Sequence, residues 1–211
     1  MTIKERYRAV TEWFKANMPV AETELRYGDA FQLLVAVILS AQCTDKRVNM
    51  VTPALFEAYP APADMAAASV DDIFGYIKSV SYPNSKAANL KSMAMRLVEA
   101  YGSQVPDNMD DLLTLAGVGR KTANVMMSVA FGKQAMAVDT HVHRVSARIG
   151  LTRNAKTPLE TERQLVAGFD GDILGTAHHW LILHGRYVCT ARNPKCGDCG
   201  LAGMCKSAPK G

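Results

Sequence analysis

Four cysteines, Cys189, Cys196, Cys199 and Cys205, follow the spacing C-x6-C-x2-C-x5-C inside 17 residues near the end of the chain. Pro194, Gly197, Gly200 and Gly203, interspersed among them, let the backbone wrap around one centre. Four thiolates can hold either zinc or an iron–sulfur cluster, and donor chemistry alone leaves both open. Zinc sites favour two C-x2-C pairs; only one is present, which tilts the reading toward [4Fe–4S], with these four cysteines as ligands. The fifth cysteine, Cys43, reads as a buried thiol. A second chemistry-bearing stretch runs Leu115-Ala116-Gly117-Val118-Gly119-Arg120-Lys121. Two glycines one residue apart mark a tight turn between helices. Unsatisfied amides and the positive end of the helix dipole make such a turn a seat for phosphate, and Lys121 lies just beyond it. The plainer alternative is a helix-to-helix corner with a solvated Arg120-Lys121 pair.

These groups need helices to place them. Tyr7, Val10, Trp13 and Phe14 define one face of a helix closed by Pro19. Asp29 can cap the next helix, whose run Phe31 to Leu39 is apolar nearly all round and belongs in the middle of a domain. It ends abruptly in the polar segment Ser40-Ala41-Gln42-Cys43-Thr44-Asp45. Thr44 or Asp45 starts a helix through Val48, Val51 and Leu55. A proline-marked link follows, and Ser69 and Asp72 resemble a capping box ahead of Ile73 and Ile77. Ser81 to Ser85 reads as a loop, with a long helix from Lys86 to Tyr101. Val142, Val145 and Ile149 give a helix capped by Asp139 or Thr140, Thr157-Pro158 opens another, and Asp172 to Tyr187 is the last. No segment alternates as a strand would, so the expected class is all-α.

The composition admits a soluble globular protein: 211 residues, 48% hydrophobic and 21% charged, with a net charge of +4. That mild basic bias is compatible with nucleic acid without requiring it. No apolar run is long enough to span a membrane, so no membrane partner is expected. The first residues lack the apolar core of a signal peptide, which makes the cytoplasm the expected compartment. In a reducing compartment, clustered cysteines bind metal rather than pair as disulfides.

Taken together, the glycine hairpin and the cysteine loop resemble the endonuclease III family of DNA repair glycosylases. Ser40-Ala41-Gln42, Val138-Asp139-Thr140-His141 and His179-Trp180-Leu181-Ile182-Leu183-His184-Gly185-Arg186 resemble family segments as well, in the same order. The resemblance implies a two-domain all-α fold with DNA bound across a cleft. A central helical barrel spans about residues 23–134 and contains the helix-hairpin-helix near 108–131. The second domain joins residues 1–22 to 135–211 and carries the [4Fe–4S] loop at 189–205. It further implies a bifunctional glycosylase/AP lyase that excises oxidised pyrimidines, working as a monomer on damaged double-stranded DNA in the cytoplasm, at the bacterial nucleoid. Lys121 then attacks C1′ of a flipped-out nucleotide, and Asp139 stabilises charge as the base leaves. Gly117, Val118 and Gly119 hold a backbone phosphate, and Arg120, Arg144, Arg186 and Arg192 are candidates for others. Gln42 fills the gap left by the flipped base. Tyr82, followed by Pro83, stands where an aliphatic wedge is expected; a tyrosine there can stack on an unpaired base. Two rivals are a monofunctional adenine mismatch glycosylase, against which Lys121 argues, and a non-catalytic DNA-binding module, against which Lys121 and Asp139 argue together.

Overall fold

A computed structural model describes residues 1–209; Lys210 and Gly211, the end of the expected second domain, lie outside the described residues. The described residues are helical and contain no strand. They divide into two compact units, one running Glu24–Gly132 and the other joining Met1–Thr23 to the chain from Lys133 onward.

In the first unit, Asp29 Oδ1 accepts the Gln32 amide at 2.8 Å and starts helix α2, Ala30–Ser40. Eight of its residues are buried, as its all-round apolar surface demands. Thr44 caps α3, Asp45–Ala58. The expected proline-marked link contains a short helix, α4 (Pro62–Ala67), which buries Met65. Six residues are too few to show a helical period; the local signals are proline at the first helical position and Asp64, whose Oδ2 accepts the Ala61 amide at 3.0 Å. Ser69 and Asp72 close the capping box of α5, Val70–Ile77. Helix α6 spans Pro83–Tyr101, so the expected loop at 83–85 is its first turn, with Pro83 at a position where its missing N–H costs nothing. Helix α7 (Met109–Leu112) leads into the hairpin and α8 (Arg120–Val125), which widens into a π-helical segment over Met126–Ala130.

In the second unit, Thr2 and Glu5 form a capping box for α1, Ile3–Asn17. The remaining helices are α9 (Thr140–Ile149), α10 (Pro158–Gly168) and α11 (Leu174–Tyr187), the last preceded by a 3-10 turn over Gly171–Ile173. Phe14 stacks on Trp180 with ring centroids 5.4 Å apart, and Trp180 Nε1 donates to Met18 O at 2.8 Å. Aromatic pairing adds about 0.5–1.5 kcal/mol beyond the area buried, which fastens α1 to a helix more than 160 residues later. No helix among the described residues is long and apolar enough to cross a membrane.

Candidate functional site

The hairpin places Lys121 in the first turn of α8, exposed to solvent. Gly117 holds φ at +79°, and a Cβ there would meet Asn89 Cβ at 3.2 Å and Ile38 Cγ2 at 3.4 Å. Both the backbone conformation and the close approach to α2 and α6 therefore require glycine. Val118 is buried and its amide donates to Leu115 O at 3.1 Å, which pins the turn from inside. Gly119 differs: its φ is −99°, and a Cβ there would meet nothing within 4 Å. It is the N-cap of α8 and has no side chain with which to cap it. The first-turn amides of Arg120, Lys121 and Thr122 thus head a helix that presents positive dipole to an incoming anion.

Two loops of the same unit bracket a second polar feature. Gln42 and Tyr82 are exposed, and both hold the left-handed conformation at φ 54° and 55°. For residues with a Cβ this costs on the order of 1 kcal/mol each. Ser81 Oγ donates to Gln42 O at 2.7 Å, so the two loops are tied directly. The sequence places both residues but gives no sign that they adjoin, nor that a lysine stands behind them. Lys86 is 5% exposed, and its Nζ donates to Leu39 O and Ala41 O, each at 2.7 Å. Burial holds its amine below the ordinary lysine range.

In the other unit, Asp139 is half-buried and caps α9, its Oδ1 accepting the Val142 amide at 2.8 Å. The approach segment Ala135 to Val138 is buried and fixes where that cap stands. Arg144, expected as a phosphate contact, also has a structural task. Its guanidinium donates to Gly185 O at 3.0 Å and to Cys189 O at 3.1 Å and 3.3 Å, and it reaches His141 Nδ1 at 3.1 Å. Those bonds fasten the end of α11 and the start of the cysteine loop to α9. Arg186 is half-buried at the end of α11, whereas Arg192 is exposed on the cysteine loop.

All four loop cysteines line one recess, with Ile149, Val188, Pro194 and Leu201 among its apolar walls. Two 3-10 turns, Cys196–Asp198 and Ala202–Met204, fold the loop, and the amide of Ser207 closes it on Arg148 O at 3.1 Å. Arg148 adds bonds from its guanidinium to Thr190 O at 2.7 Å and Ala191 O at 3.0 Å. Burial above all pushes the Cys199 thiol up; a Leu201 bond opposes this, and the neighbouring Cys205, Cys189 and Cys196 add to it. Four thiolates in so apolar a recess require a cationic centre to compensate them. His184, on the recess wall, is buried between Trp13 and Phe14, and burial pushes its pKa down to about 4. It is therefore neutral at physiological pH and adds no positive charge of its own. Four thiolates lining one apolar recess fit an iron–sulfur cluster.

Residues 35–169 match the family model of the HhH-GPD superfamily base excision DNA repair proteins, and residues 189–205 match the iron-sulfur binding domain of endonuclease III. Endonuclease III of Bacillus subtilis (strain 168) is 45% identical over 91% of this chain and 88% of its own length. Endonuclease III of Haemophilus influenzae is 43% identical over 100% of this chain and 99% of its own. A trapped endonuclease III–DNA covalent intermediate superposes with a TM-score of 0.94 at 41% identity, covering 99% of this chain and 98% of that one. A thermostable thymine-DNA glycosylase, 24% identical with a TM-score of 0.85 over 97% of both chains, shares the fold. The chain belongs to the endonuclease III family of the HhH-GPD superfamily, and is a DNA glycosylase and AP lyase of base excision repair that carries a [4Fe–4S] cluster.

Proposed function

We propose that this enzyme excises oxidised pyrimidines from damaged double-stranded DNA and cuts 3′ to the resulting abasic site, with Lys121 as nucleophile. The observation that carries the reading is the hairpin, which sets Lys121 in the exposed first turn of α8, directly after the Gly117–Gly119 turn. Neutral Nζ attacks C1′ as the glycosidic bond breaks and the base departs. The sugar ring opens to a Schiff base; a proton then leaves C2′ and the 3′ phosphate oxygen is expelled. The half-buried Asp139 carboxylate stabilises positive charge developing at C1′ and accepts a proton, while remaining the cap of its helix.

Gly117, Val118 and Gly119, with Arg120, hold phosphate at the hairpin, and Arg186 and Arg192 do so from the other unit. Arg144 anchors the cysteine loop and also contacts the DNA backbone. Gln42 and Tyr82 enter the space vacated by the flipped nucleotide, Tyr82 by stacking. Cys189, Cys196, Cys199 and Cys205 are the cluster ligands. The cluster, when bound, cross-links four points of the loop and so shapes the segment bearing Arg192. The compact unit Glu24–Gly132 supports reading it as the barrel domain, with the other unit as the cluster domain. The enzyme works as a monomer in the cytoplasm, at the nucleoid.

Borohydride trapping on a duplex with an abasic site tests the mechanism. Wild-type protein should give a covalent adduct that Lys121→Ala loses while still binding the duplex; an undiminished adduct in the variant would refute it. Release of thymine glycol, compared with adenine from an A·G mismatch, tests the substrate, and preferential adenine release would favour the rival glycosylase.

A further inference from the structure

We propose that Lys86 is a positioning residue for DNA engagement, one that presents Gln42 and Tyr82 together before DNA arrives. The inference rests on the reading of those two residues as the ones that enter the duplex. Three bonds of one residue converge on the two loops. Lys86 Nζ donates to Leu39 O in the last turn of α2 and to Ala41 O just past its end. Its own amide donates to Tyr82 O at 3.2 Å, the first bond of α6. Between these anchors the chain has little choice. With Ala41 O held, Gln42 turns into the left-handed region, where its carbonyl meets the Ser81 hydroxyl at 2.7 Å. Tyr82 follows in the same conformation, and Ser85 Oγ adds a second donor to its carbonyl at 3.1 Å.

The end of α2 is buried at Leu39, so that carbonyl needs a donor, and a leucine at position 86 would leave it unsatisfied. An uncharged donor would meet that need without the desolvation of an ammonium. What the ammonium adds is a fixed path for residues 41 and 42, so that two strained, exposed side chains do not have to be ordered during binding.

The test uses full-length, cluster-loaded protein and a duplex with an uncleavable abasic analogue opposite 2-aminopurine, whose fluorescence reports unstacking. Wild-type protein should brighten the probe, and Lys86→Met should lose most of that signal. Cleavage of an abasic duplex by Lys86→Met should fall roughly 10- to 100-fold in kcat/KM, the scale of a misplaced contact group. Cleavage of the same site inside an unpaired bubble, which needs no gap filling, should stay near wild type. In the Gln42→Ala background, Lys86→Met should cause little further loss, because both act through one loop. An unchanged signal in Gln42→Ala alone would overturn the reading of Gln42. A signal lost in Gln42→Ala but kept in Lys86→Met, or independent losses in the double variant, would overturn the role of Lys86. Equal loss on duplex and bubble would reduce it to a general structural one. If Lys86→Met does not fold, Lys86→Gln, with a shorter donor, should give an intermediate signal, and a wild-type signal there would refute the proposal.

Discussion

Replacing Gly119 with aspartate should stabilise the protein while crippling its grip on DNA. The backbone at this position, φ −99° and ψ 177°, is extended and open to any residue, and a Cβ meets nothing within 4 Å. Aspartate is a better N-cap than glycine by a few tenths of a kcal/mol, and its charge at the positive end of α8 adds about 0.3–1 kcal/mol. The net gain is roughly 0.5–1 kcal/mol. The same carboxylate accepts the amides that the account reserves for phosphate. Losing one charge-assisted bond costs about 1.5–3 kcal/mol. A carboxylate facing phosphate at contact range in water adds about 1 kcal/mol of repulsion. Together these amount to about 3 kcal/mol, or roughly 100-fold in affinity. Gly117→Ala is the control of opposite sign. Its left-handed backbone and its contact with Asn89 should cost about 1–2 kcal/mol of stability. Urea unfolding measures the first quantity, and fluorescence anisotropy on a duplex with an uncleavable abasic analogue measures the second. Wild-type affinity in Gly119→Asp would refute the phosphate seat, and a stability loss like that of Gly117→Ala would refute the reading of the hairpin itself.

Further expectations follow from the same geometry. Asp139→Asn keeps an equally good helix cap but loses the charge, so its melting temperature should hold while base excision falls by 100-fold or more on the scale of a lost electrostatic stabiliser; Asp139→Ala should additionally lose about 1 kcal/mol of stability. Purified protein should be brown, with iron and acid-labile sulfide in equal amounts, and Cys196→Ser should lose the visible absorption; a colourless zinc protein would contradict the cluster assignment. Burial, partly offset by the bond to Gly175 O at 2.9 Å, holds His179 below the ordinary histidine range. As pH falls, the unfolded chain takes up that proton first, so the stability contribution is full above about pH 6.5 and is lost through the folded value. Urea unfolding at neutral and mildly acidic pH should therefore show a smaller acid loss in His179→Gln than in wild type.

Much of the candidate site could be read from residue type and spacing, because its parts are local. The hairpin glycines, Lys121, the cap at Asp139 and the cysteine loop each sit within a few residues of the feature that gives them meaning. What escaped is non-local or too short to be periodic. Lys86 looks like a solvated charge at a helix start, since the carbonyls it serves lie more than 40 residues earlier. Arg144 gives no sign in the sequence of the bonds it makes to Gly185 O and Cys189 O, again over 40 residues away. Helix α4 has too few turns to show a stripe, and Pro83 marks the first turn of α6 only once Tyr82 is seen to take a left-handed backbone. The π-helical widening over Met126–Ala130 has no residue signature at all, because Val125, Met126 and Val129 suit an α-helix equally well.

The central claim is that one amine, Lys121 Nζ, forms the covalent bond to DNA. Locating that bond tests it most directly: the borohydride-reduced adduct with abasic DNA is digested with protease and nuclease, and the modified peptide is sequenced by mass spectrometry. A single sugar remnant is expected on Lys121, in a peptide that also holds Thr122 and Ala123. A remnant on any other lysine or on the terminal amine, with Lys121 unmodified, would contradict it.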